Sequence, residues 1–213
     1  WIVEVDKQLV IIGNMNAITY KEVFPLIKGD RMWMGNGFHA GNAYFSTPFA
    51  KEYAEGVYSA ETGLVKFRNV YWFTSLDHGR RHRPLPLMTM ADNLRFSKHK
   101  EIKGKDAYDR YDNYDAIEVP FTDSIPSDYD GVMGVPISFL DKYNPEQFEI
   151  IGNGQTMADE LGINPVGQKF VDDYYAQGNK GQIHAEWNNL VYHIGEKVVI
   201  PYQRLLIKRR KQT

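Results

Sequence analysis

The sequence has no cysteine, which excludes disulfides, thiolate metal sites and cysteine nucleophiles together. A reducing cytoplasm agrees with that composition. Nor does any apolar run approach the roughly 20 residues a membrane helix needs, and no secretory leader pattern stands at the start. No internal repeat or low-complexity segment appears. No nucleophile elbow surrounds a serine, and the two Asn-Pro pairs, in "YNPEQFE" and "INPVG", read as turn initiators. The acidic positions Asp109, Asp112, Asp115, Asp123, Asp128 and Asp130 lack the D-x-D-x-D-G order of a calcium loop. His78 and His82 stand four apart, but Arg80, Arg81 and Arg83 beside them repel a cation, so no metal is expected. Taken alone, the residues show no catalytic constellation.

What is present suffices for a core. Hydrophobic residues make up 43% and aromatics 14% of 213 residues, which excludes disorder over the whole length and fits one large domain or two small ones. The formal net charge of −2 conceals blocks: residues 77–105 carry +5, residues 106–160 carry −11 and residues 197–213 carry +6. Local patches, and not the total, therefore decide whether nucleic acid is a partner. The opening "WIVEVDKQLVIIGN" lacks Met, and Trp1, Ile2, Val5 and Leu9 fall at helical spacing. It reads as the tail of a helix in the C-terminal part of a longer protein.

"LVIIGN" (9–14) is a continuous apolar run, as in a strand of a parallel sheet buried on both faces. "TYKEVFPLIKG" carries a capping box at Thr19 and Glu22, a stop at Gly29, and Pro25 as a kink or first-turn residue. Further strands are expected at 31–34, 42–46 and 64–76, the last being the longest. Strand, crossover helix and strand mark an α/β sheet, with a soft boundary at 76–84. Beyond it lie a turn at Asp130-Gly131, a strand in "QFEIIGNG", a loop-rich segment over 155–190, and a terminal hairpin with Ile200 to Ile207 as its core.

Three stretches carry chemistry, each with a plainer reading beside it. Asn14 and Asn16 end the first strand, where open α/β sheets bind ligands; equally, they are good caps and turn formers. "GNGFHAGNAYF" (35–45) misses the dinucleotide fingerprint by one residue and leads into a strand, so no helix N-terminus awaits a phosphate. It is either a hairpin loop or a glycine-lined pocket in which Phe38 or Tyr44 faces a planar ligand. The basic run Arg80, Arg81, His82, Arg83, followed by Arg95, Lys98 and Lys100, is either a solvated face or a nucleic-acid contact, since arginine offers a fork for phosphate or guanine.

Three long blocks, "LVIIGNMNAITYKEVFPLI", "RNVYWFTSLDHGRRH" and "YDAIEVPFTDSIPSDYDGVMGVPISFLDKYNPEQFEIIG", together resemble the EcoRI-like adenine-specific DNA methyltransferases, as does the closing "YQRLLIKR". The resemblance implies methyl transfer from S-adenosylmethionine to adenine N6 in double-stranded DNA, with the base flipped from the stack, in a cytoplasmic restriction-modification setting. It implies the second half of a Rossmann-like sheet over residues 1–80 and a mixed α+β target-recognition region over 81–213. Such enzymes place a glycine-rich cofactor motif and an Asn-Pro-Pro-aromatic catalytic motif ahead of these blocks, and this sequence holds neither. The chain alone is therefore expected to be inactive, supplying a base pocket from Asn14, Asn16, Phe38 and Tyr44 and DNA contacts from the basic run. The alternative is a non-enzymatic DNA-binding or specificity module that works with a separate catalytic chain.

Overall fold

A left-handed backbone at Asn69, φ 55°, divides the stretch expected to be one long strand. Asparagine tolerates this conformation because its short polar side chain can bond locally. The two halves, β5 (Leu64–Arg68) and β6 (Val70–Thr74), belong to different sheets. The computed structural model describes residues 7–35 and 42–211, and the chain divides into two units, residues 1–80 and 81–213. The expected helical start at Trp1, Ile2 and Val5 lies outside the described residues.

In the first unit β1 (Val10–Asn14) and β2 (Trp33–Met34) both pair antiparallel with β6, giving the order β1-β6-β2. β1 and β2 therefore run in the same direction with β6 reversed between them. Their connection is a crossover through a 3-10 turn at Met15–Thr19 and α1 (Phe24–Lys28). Ile18, Phe24 and Ile27, each at most 3% exposed, anchor that crossover in the core. Pro25 lies in the first turn of α1 and does not kink it, because an N–H there has no intrahelical partner to lose. The expected capping box does not form: the Thr19 hydroxyl donates to the Asn16 carbonyl at 2.8 Å, and Gly29 ends the helix.

The expectation that "LVIIGN" is buried on both faces is corrected. Val10, Ile11 and Ile12 are 54%, 42% and 43% exposed, because β1 is the margin of its sheet and no other described strand pairs with its far edge. The second sheet of this unit is β3-β5-β4, from β3 (Asn42–Phe45), β5 and β4 (Tyr58–Ser59). Phe67 is its hub, edge-on to Phe45 at 5.8 Å and to Tyr53 at 5.6 Å.

The second unit is built on a four-stranded sheet of order β7-β8-β12-β9, from β7 (Ala116–Glu118), β8 (Val132–Pro136), β9 (Phe148–Asn153) and β12 (Arg204–Arg209). β7 runs parallel to β8; β12 is antiparallel to both β8 and β9. The terminal hairpin expected over this tail is corrected. β11 (Lys197–Val199) pairs back with β10 (Tyr192–Ile194), while β12 inserts into the middle of the sheet, where Leu205, Leu206 and Ile207 are at most 1% exposed. Pro201 offers no N–H with which to continue the first pairing.

α2 (Met90–Phe96), α3 (Ala158–Leu161) and α4 (Gln168–Ala176) complete the unit. α4 interrupts the segment read as loop-rich; Phe170 and Val171 pack it against Ile183, Val191 and Val198. Ala158 and Leu161 of α3 cover Leu206 and Ala116 of the sheet.

Candidate nucleic-acid interface

In the first unit a groove of about 350 Å³ opens at the carboxyl end of β1, with Ile12, Asn14, Phe45, Phe67, Arg68 and Val70 on its walls. Its walls are apolar and aromatic, with one amide and one guanidinium. The Asn14 side chain accepts from the Asn16 N–H at 2.9 Å and so caps the 3-10 turn. Asn14 thus does what the plainer reading expected and still borders the groove. Asn16 is exposed outside it. Tyr44, 58% exposed, lies with its ring 5.8 Å from the Lys66 ammonium and does not line the groove. Its neighbour Phe45 does, with Phe67; the two-residue alternation of β3 puts Tyr44 and Phe45 on opposite faces. Phe38 lies outside the described residues, as do residues 36–41 of the glycine-rich loop.

In the second unit the basic run splits by role. Arg81 is only 9% exposed, and burial lowers its guanidinium pKa against the raising influence of Tyr143 and Glu146. His82 Nδ1 stands 2.9 Å from Glu146 Oε1. Arg83 is exposed, and Arg80, the last residue of the first unit, is half-buried. Within the first unit, His78 Nε2 lies 3.1 Å from the Met34 carbonyl oxygen. Part of this run is therefore tied into the units themselves.

A second cationic stretch begins at the end of α2. Thr89 caps that helix, accepting from the Asp92 N–H at 3.1 Å. Arg95 lies over the Phe96 ring at 4.9 Å, and Phe96 is itself 58% exposed. Lys98 pairs with Asp123 at 2.8 Å, and His99 reaches the other oxygen of the same carboxylate at 2.8 Å while stacking on Phe121. Burial pushes the Asp123 carboxyl upward, but the hydrogen bonds from Lys98 and His99 outweigh it and hold the pKa below the usual value. Lys100 and Lys103 project into solvent; Lys105 is paired with Asp109. Arg83, Arg95, Lys100 and Lys103 are thus presented outward, with Phe96 as an exposed aromatic among them. Cations of this kind neutralise phosphates, and an exposed ring can stack on a base.

The most buried charge of the second unit escaped the sequence reading. Glu118, 1% exposed, takes three hydrogen bonds from Arg204, the shortest 2.6 Å, and a fourth from the Tyr111 hydroxyl. Burial, then the Glu118 carboxylate, push the Tyr111 phenol well above its ordinary pKa. Nothing at Glu118 or Arg204 repeats at a telling spacing, so no signal in the sequence could have paired them. The described residues hold no cluster of three His, Asp or Glu side chains suited to a metal. No described helix is long and apolar enough to cross a membrane.

Comparison with known proteins follows the same lines. The type II methyltransferase M.EcoRI of Escherichia coli is 43% identical over 157 residues, covering 70% of this chain and 44% of that protein. M.MgeORF184P of Mycoplasma genitalium is 31% identical over 159 residues, covering 70% of this chain and 45% of the relative. M.MpnI of Mycoplasma pneumoniae, also a type II methyltransferase, is 31% identical over 152 residues, covering 70% and 44%. The matched part is thus less than half of each relative's length. No solved structure matches the chain. The family described as adenine-specific methyltransferase EcoRI matches residues 1–210, nearly the entire chain, and the chain belongs to that family.

Proposed function

We propose that this chain is the base-holding and sequence-reading part of a DNA adenine-N6 methyltransferase. The family match over residues 1–210 carries the proposal; the outward cations and ring around α2 support it. In this reading the first unit is the margin of the catalytic sheet. The shared direction of β1 and β2 around a reversed β6 supports that role, as does the apolar edge of β1, which no other described strand pairs with. The groove at Asn14, Phe45 and Phe67 would receive the flipped adenine between apolar walls, and the second unit would hold the duplex.

A methyl donor follows from the activity of the relatives, and S-adenosylmethionine is the general one. The first-unit groove does not fit it. The polar side chains at the first-unit groove are the Asn14 amide and the Arg68 guanidinium, and a guanidinium repels a sulfonium while offering no acceptor for a ribose diol. No step of the transfer is therefore assigned to residues of this chain.

Titrating a labelled duplex with the chain at rising salt tests the reading. The logarithm of the binding constant should fall linearly with the logarithm of salt, by about 0.9 per neutralised phosphate. Salt-independent or absent binding would overturn it. Incubation with a labelled methyl donor and an adenine-containing duplex should give no transfer by these residues alone. Robust transfer would refute the assignment of the chemistry elsewhere.

A further inference from the structure

The second unit carries another groove, of about 300 Å³, that no residue of the basic run or of the cationic stretch after α2 lines. Its polar walls are three side-chain amides, Gln155, Asn189 and Gln203, grouped about Tyr202, which is 72% exposed. None of those three amide side chains is engaged by a hydrogen bond to another described residue. The backbones of Gln155, Asn189 and Tyr202, by contrast, are each held by a polar side chain.

Each wall has its own anchor. The Asn153 side chain, fully buried, accepts from the N–H groups of Gln155 at 2.9 Å and Thr156 at 3.2 Å. Asn113, 6% exposed, donates to the Asn189 carbonyl at 2.7 Å and accepts from the Val191 N–H at 3.1 Å. Arg204, locked on Glu118, donates through Nη1 to the Tyr202 carbonyl at 2.9 Å. Three polar groups at distant points of the chain therefore converge on one groove whose three amide side chains are left free. Burying such groups is costly unless they are satisfied. Rigid support beneath uncommitted side chains is the arrangement a recognition site requires.

We propose that this groove reads a base edge in duplex DNA, and that the base is adenine. The proposal rests on the DNA-methyltransferase reading above. An amide presents one donor and one acceptor side by side, matching adenine N7 and N6 in the major groove. Guanine shows two acceptors there and favours a guanidinium; the one lining this groove, Arg204, is already bound to Glu118 and the Tyr202 carbonyl. The lining side chains other than Arg204 are uncharged, which favours a base edge over a phosphate. Tyr202 supplies a flat, rigid contact beside the amides.

The test is selection of tightly bound duplexes from a random pool by the full chain and by Gln155→Ala, Gln203→Ala and Tyr202→Ala. Thermal unfolding of each variant is measured alongside. These side chains are exposed or half-buried, so unfolding temperatures should stay near that of the parent. Expected is a parent preference for adenine at a defined position that the amide variants relax roughly 5- to 100-fold, with the salt slope unchanged. An unaltered preference in every variant would overturn the groove assignment and leave DNA recognition standing. Recovery of no duplex by the parent would overturn the recognition role itself, and this groove with it.

Discussion

Arg204 and Glu118 stand 86 positions apart in the chain and 2.6 Å apart in the fold. One belongs to the central strand β12, the other to the edge strand β7, and the pair ties the sheet together across β8. Glu118→Ala leaves a guanidinium with 12% side-chain exposure facing no counter-charge. The expected loss is about 3–5 kcal/mol, because an unpaired buried charge costs far more than the pair contributes. The double replacement Glu118→Leu with Arg204→Met should recover much of it. Urea midpoints for the three proteins decide the matter; a double variant as weak as the single would show that the pair itself supplies the stability.

Gly134 on β8 lies directly beneath the Tyr111 hydroxyl, so that a Cβ there would collide with the phenol. Gly134→Ala should destabilise the second unit by about 1–3 kcal/mol through overpacking. Adding Tyr111→Phe should restore only part of this, since the ring carbons Cζ and Cε2 also stand 2.7 and 2.8 Å from the new atom. Thermal denaturation of the single and double variants measures both effects.

The basic residues should separate into two classes in binding and stability measurements. Arg95→Ala and Lys100→Ala should weaken binding to every duplex and reduce the salt slope by about one each, with unfolding midpoints unmoved. Arg81→Ala should act the other way, lowering the midpoint because its side chain is buried and leaving the slope unchanged. Paired titrations and melts report both quantities; a slope change in Arg81→Ala would return that residue to the DNA-contacting group.

Asp123 links pH to the anchoring of the segment after α2. Its folded pKa lies below the unfolded carboxylate value, so its contribution is complete above about pH 4, the ordinary aspartate value, and disappears as pH falls through the folded pKa. Asp123→Asn should therefore melt below the parent at neutral pH, with the two curves converging at strongly acid pH. A gap that persists undiminished at low pH would assign the effect to something other than the carboxylate's charge.

Legibility in the sequence followed the range of the forces involved. β1, α1 and β9 could be placed because apolar runs, a Gly stop and turn residues are local signals. Asn69 hid a change of sheet inside one apolar run, since a single residue with positive φ leaves the hydrophobic pattern intact. The tail was taken for a hairpin because nearness in sequence favours local pairing, whereas β12 found partners in β8 and β9 more than fifty positions upstream. Charge was legible as a count but not as a direction: Arg81 and Arg83 differ by two positions and by burial. The amide groove left no trace, its walls coming from residues 154–155, 189–190 and 200–204.

β1 carries a consequence for handling the molecule. A strand whose far edge no other described strand pairs with, and which carries three exposed branched side chains, Val10, Ile11 and Ile12, is a template on which another strand can assemble, including the same strand of a second molecule. Left bare at high concentration, such an edge converts a sheet margin into a nucleus for aggregation, and the same groups, once covered, become the seam of a larger sheet. Solubility of the chain is then a gauge of whether that seam is closed.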